Sequence, residues 1–206
     1  MDEDDARRRA LEAHLRHHLG APTWRWSEPL PGAVPVDLLI HGPTAERPWV
    51  AVMTAGMSYR PMPGARGLGV PPYAEVYLAL PELDRSASAT FWPLMLLRIA
   101  PQYAHLYEAP LAPYHTVSLA DPPEPFAPDT GLCAAMLARP TLMPPEFAHV
   151  AVPSTEATAI HAMVPLHADE FALVREQGSA PLLDLFHVAG ITELLDTRRP
   201  SVLGTR

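Results

Sequence analysis

The chain has 206 residues, 15 of them basic (every one an arginine) against 23 acidic, for a formal net charge of −8, with a single cysteine. So acidic a surface cannot neutralise phosphates or an anionic bilayer, which argues against nucleic acid and membrane as partners, whereas a basic protein would be steered toward it. Lone Cys133 leaves no intramolecular disulfide, no positively charged start feeds an apolar run, and runs such as Leu94 to Leu97 fall far short of the ~20 residues of a membrane helix, so a cytoplasmic protein is expected.

A chain of this length buries about 70% of its unfolded surface, and one globular unit spanning 1–206 is expected. The 26 prolines and 11 glycines mark its segment boundaries. Asp4 to Leu19 opens on acidic residues, repeats leucine at 11, 15 and 19, and closes at Gly20 and Pro22, which predicts an amphipathic helix within residues 1–20. Short apolar segments bounded by proline, glycine or aspartate predict strands at Val34–Ile40, Trp49–Ala55, Tyr73–Leu80, Thr116–Leu119, Leu132–Leu137, Ala148–Val152 and Thr158–Val164. Helices are predicted from Ala89 to about Ala109, with Pro101 kinking or dividing it, and in a helical closing segment (167–206) at Ala168–Gln177 and Pro181–Val188. The proline-rich run Asp121 to Asp129 reads as a loop. The order suggests an α+β fold: a mixed, largely antiparallel sheet of about six or seven strands flanked by helices.

The most distinctive stretch runs from Thr54 to Pro81. An apolar strand breaks at Gly56, and a turn carries Met57, Ser58, Tyr59, Arg60 and Met62. A loop punctuated by Pro61, Pro63, Gly64, Gly67 and Gly69 carries Arg66, and Tyr73 to Leu80 returns as a strand with a carboxylate at Glu75. Methionine, tyrosine and arginine exposed together would form an adaptable contact surface. If buried, Glu75 needs a partner, for which Arg60 and Arg66 are the candidates; if solvated, it needs none.

Candidate chemistry elsewhere is sparse. His14, His17 and His18 have i, i+3, i+4 spacing on one helix, but no acidic or cysteine partner follows at a fixed offset, and a solvated face is the plainer reading. Ser58 lacks the second glycine of a nucleophile elbow, because Arg60 stands there. Cys133 reads as a core thiol, Trp92 as a core anchor, and His167, Asp169 and Glu170 as the capped start of a helix. No catalytic residue, metal site or cofactor is expected. The alternative is a small hydrolase using Ser58 or Glu75 with a histidine such as His115 brought near by folding.

Thr54 to Met62 and Tyr73 to Pro81 resemble the signature of the suppressor-of-fused family. The resemblance extends to Pro43 to Trp49, to the tryptophan-proline helix at Phe91 to Ala100, to Tyr114-His115-Thr116, to Pro165 to Gly178 and to Leu194 to Pro200, covering roughly 34 to 202 in the compact bacterial form of the domain. It implies a non-enzymatic protein-binding domain. The animal member sequesters transcription factors by accepting an extended peptide as an added strand, and bacterial relatives are thought to serve as immunity proteins that neutralise toxins. The expectation is thus a protein partner, a toxin or regulatory protein of basic character, contacted by Met57, Ser58, Tyr59, Arg60, Met62, Arg66, Tyr73 and Glu75. Tyr59 is the candidate counterpart of the tyrosine that holds the animal protein's peptide, while Gly67 and Gly69 occupy the loop where its aspartate is sought.

Overall fold

The computed structural model describes residues 3–27, 32–83, 91–153 and 155–204. Its strands are β1 (Trp24–Trp26), β2 (Asp37–His41), β3 (Val50–Ala55), β4 (Ala74–Leu80), β5 (Thr116–Ser118), β6 (Leu132–Ala138), β7 (His149–Val150) and β8 (Thr158–His167). The helices are α1 (Glu3–Leu19), α2 (Phe91–Leu106), α3 (Ala168–Gln177) and α4 (Ala180–Ala189). All eight strands join one sheet in the order β1-β2-β3-β4-β8-β6-β5, with β7 also pairing β8. Among the named strands only β4 and β8 run parallel, so the sheet is mixed and largely antiparallel, in an α+β fold.

Alternation along the strands sorts the core into three clusters. Val50 and Val52 of β3, Val76 and Leu78 of β4 and Met163 of β8 face α2, whose Leu94, Leu96, Leu97 and Ala100 complete that layer. Met53, Tyr77, Ile160 and Ala162 face the other way, onto Leu11, Leu15 and Leu19 of α1. Further along that second face, Met136, Val164 and Leu166 meet Val174 of α3 and Leu182 and Phe186 of α4. The result is three layers, α2 on one side of the sheet and α1, α3 and α4 on the other. The leucines of α1 recur every fourth residue and so share one stripe. Each contributes roughly 2 kcal/mol by leaving water.

Most elements lie where the sequence puts them. α2 continues unbroken through Pro101, its start at residues 89 and 90 lying outside the described residues. β8 continues past Val164 through Pro165 to His167. β4 pairs it only from Ala159 to Ala162, so at Pro165 only β6 remains alongside, a tolerant place for a residue without an N–H. β1, only three residues long, is too short to leave a periodic signal.

Candidate protein-binding site

The loop after β3 is built around Glu75, a fully buried residue. Its Oε1 accepts from the amides of Gly56 and Ser58, both at 3.0 Å, and from the Ser58 hydroxyl at 2.7 Å. Its Oε2 lies 2.6 Å from Thr54 Oγ1, which accepts the Val76 amide at 2.8 Å and sits 3.2 Å from the Val76 carbonyl. Burial pushes the carboxyl pKa up, opposed by the hydrogen bonds from Thr54, Ser58 and Gly56. Thr54 Oγ1 donates to Oε2, so the buried carboxyl is held by four hydrogen bonds, from the hydroxyls of Thr54 and Ser58 and from the amides of Gly56 and Ser58. Gly56 is needed at the turn, because its φ is 131° and a Cβ there would lie 2.2 Å from the Pro35 carbonyl oxygen.

That arrangement corrects several expectations. Glu75 pairs with neither Arg60 nor Arg66 and is not solvated; Arg66 instead pairs with Glu156 at the surface. Met57 and Met62 are core residues, not exposed ones, and Met62 Sδ accepts the Leu111 amide at 3.3 Å. Ser58 is sealed, and Tyr73 lies buried beneath the Arg7 guanidinium, 3.4 Å from its ring centroid. Tyr59 is half-buried, its pKa raised by burial and by the nearby Glu75 and Glu12 carboxylates. Only Arg60 and Arg66 of the eight candidates are freely exposed, and Leu68, 68% exposed, joins them from the same loop.

The structure does bring Ser58 and Glu75 together, with both side chains fully buried, and the ring of His115 bonds the Pro110 carbonyl at 3.0 Å. Glu193 is likewise buried and held by Tyr77 and by the amides of Thr141 and Leu142. Glu170 is buried and gripped by both terminal nitrogens of Arg199 at 2.6 Å. Burial raises the Glu170 pKa, but the bonds from Arg199, His167 and Val202 outweigh it and hold the carboxyl below its usual range. Each carboxylate thus pins one segment to another. No cluster of metal-ligating side chains occurs among the described residues. His14 and His18 are not solvated as expected but lie half-buried against Phe147, whose carbonyl bonds His14 at 3.0 Å.

The open feature is the β5 edge, which sequence reasoning did not single out. β5 is the last strand of the sheet, paired on one side only, to β6. The His115 carbonyl accepts the Leu137 amide and so points inward; by the alternation of an antiparallel ladder Val117 does the same, and Thr116 and Ser118 present N–H and C=O groups outward. Two adjoining grooves run along this edge, of about 370 Å³ and 300 Å³, and share Tyr103 of α2 and Arg175 of α3. Because α2 covers one face of the sheet and α3 the other, β5 forms the floor of a slot walled by both. Tyr103 packs its ring, tilted, at 5.1 Å against Tyr107, which with Leu106 lies about two-thirds exposed at the end of α2. The loop that carries Arg60 adjoins that helix end, since a Cβ on Gly64 would sit 3.8 Å from the Glu108 carbonyl oxygen. The family's Tyr114-His115-Thr116 motif is the only signal that pointed here.

The family model for Suppressor of fused protein (SUFU) matches residues 32–200. Among solved structures, a SUFU homolog from Neisseria gonorrhoeae FA 1090 superposes with a TM-score of 0.68 at 15% identity, covering 100% of both chains. The Sufu–Fu complex gives 0.70 at 14% identity over 95% of this chain and 92% of that one. Drosophila Suppressor of Fused gives 0.64 at 15% identity, and there the match covers 95% of this chain but 50% of that protein. No curated protein matches the chain significantly. No helix among the described residues is long and apolar enough to cross a membrane.

Proposed function

The chain belongs to the suppressor-of-fused family, and from that premise we propose that it is a non-enzymatic, intracellular protein-binding domain that captures an extended segment of its partner as a strand added to β5. The observation that carries this reading is an unpaired sheet edge with outward-facing backbone groups at the bottom of a walled slot. Main-chain pairing there supplies affinity, and the walls read alternate side chains. Three residues of edge offer few hydrogen bonds, so the contact extends over Tyr107 and Leu106 to Tyr59, Arg60, Arg66 and Leu68. Family membership supports one of two roles: an immunity-type inhibitor that neutralises a toxin, or a binder that holds a regulatory protein out of action. The net charge of −8 favours a basic one at long range.

The test is a replacement that blocks an added strand without disturbing the sheet. Thr116→Pro removes an N–H that faces away from β6. Proteins that co-purify with the wild-type chain from its native host should be lost on Thr116→Pro while the circular dichroism spectrum is retained. A toxin encoded beside the gene should be neutralised on co-expression by the wild type and not by the variant. Complexes that survive Thr116→Pro but vanish on replacing Tyr59 and Arg60 would move the site to the loop.

A further inference from the structure

Arg175 is the arginine that lines the grooves along β5. Arg25 is ion-paired with Asp37, Arg66 with Glu156 and Arg199 with Glu170, whereas Arg175 has no ion pair among the described residues. Its guanidinium lies over the Phe171 ring, 5.7 Å from the centroid, one helical turn back on α3. It lines both grooves along β5, so it overlooks the middle of the slot. The dipole of α3 favours a cation in its last turn.

An added strand turns successive side chains to opposite walls. One set meets Phe171, Val174 and Arg175 of α3; the other meets Tyr103 and Pro110 on the α2 side. We propose that the slot selects an extended segment carrying a carboxylate side chain on the face turned to α3, flanked by apolar residues turned to α2, with Arg175 as the specificity-determining residue. The proposal rests on strand addition at β5 and names what is read there. Arginine suits the task, because its planar fork takes a carboxylate through two hydrogen bonds while its face stays on the ring. It also fits an acidic protein with a basic partner: overall charge governs long-range approach, and one local carboxylate then fixes the register.

The experiment is a random decapeptide display library panned against the immobilised full chain, with Thr116→Pro and Arg175→Glu carried in parallel. Peptides enriched by the wild type should bear Asp or Glu at one fixed position with apolar neighbours, and Thr116→Pro should lose them. In the best peptide, replacing that Asp or Glu by Asn or Gln should weaken binding at least tenfold, and Arg175→Glu should enrich Lys or Arg at the same position. Enrichment that Thr116→Pro abolishes, but that shows no acidic preference or is unchanged by Arg175→Glu, overturns the carboxylate rule and leaves strand addition standing. Absence of any enrichment sensitive to Thr116→Pro overturns both.

Discussion

The hydroxyl of Tyr103, on α2, donates to the main-chain carbonyl of Ser118, on β5, across 3.0 Å. One outward-facing acceptor of the open edge is therefore already occupied, by the side chain that also forms the wall. A strand added to β5 as proposed would either share that carbonyl, which has two lone pairs, or displace the hydroxyl. Tyr103→Phe keeps the ring and frees the acceptor, so affinity for a bound peptide should be unchanged or tighten by up to about tenfold, the worth of one neutral hydrogen bond. Tyr103→Ala removes the wall and its ring contact with Tyr107, and should weaken binding. Titration calorimetry with any peptide selected on the wild type checks both. If Tyr103→Phe weakens binding as much as Tyr103→Ala, the hydroxyl itself contacts the partner.

Glu75 should tell a neutral carboxyl from a charged one. An amide nitrogen in the place of Oε2 can donate to Thr54 Oγ1, whose own proton then turns to the Val76 carbonyl 3.2 Å away. Glu75→Gln should then cost no more than about 1 kcal/mol, whereas Glu75→Ala strands the Gly56 and Ser58 donors and should cost about 3 kcal/mol or more. The carboxyl pKa is raised from its ordinary 4.5. The native state thus holds a proton that the unfolded state gives up, so this contribution is full below 4.5 and is lost as pH rises through the native pKa. Urea denaturation across that range should show the decline in the wild type and not in Glu75→Gln. A Gln variant as damaged as the Ala variant would mean that the site requires the anion.

Much of the fold was legible because its elements carry their own signals. Leu11, Leu15 and Leu19 announce α1, Gly178 and Gly190 end α3 and α4, and the apolar runs of β3, β4, β6 and β8 are bounded by turn residues. The site was less legible. In the Met57 to Met62 loop, residue type alone suggested a contact surface, but Met57 and Met62 turn inward because the Glu75 network folds the chain back on itself, a three-dimensional fact that spacing does not encode. The slot is assembled from Tyr103, Thr116 and Arg175, separated by many residues, and its openness depends on which strand ends the sheet. Strand order is set by long-range pairing, so nothing in the sequence places Arg175 beside β5.

His41 and His161 predict an acid limit to stability. Both are buried, and each leaves Nε2 without a partner among the described residues. Burial pushes each pKa down from 6.5 to about 4; for His41 the Gly20 carbonyl opposes this and Arg47 adds to it, and for His161 the neighbouring His115 and His149 add to it. Between those two values the unfolded chain binds protons that the native state refuses, so stability rises with pH through this window and falls as pH drops from 6.5 toward 4. At ~1.4 kcal/mol per pKa unit, each ring costs about 3 kcal/mol by the acid end. His161 sits opposite Val76 in the middle of the sheet, where an apolar side chain fits its neighbours. His161→Leu should therefore remain folded to lower pH than the wild type and show a shallower loss of denaturation free energy from pH 6.5 to 4. An equal slope in the two proteins would mean that His161 takes up its proton in the folded state, and the acid sensitivity would then have to come from His41 alone.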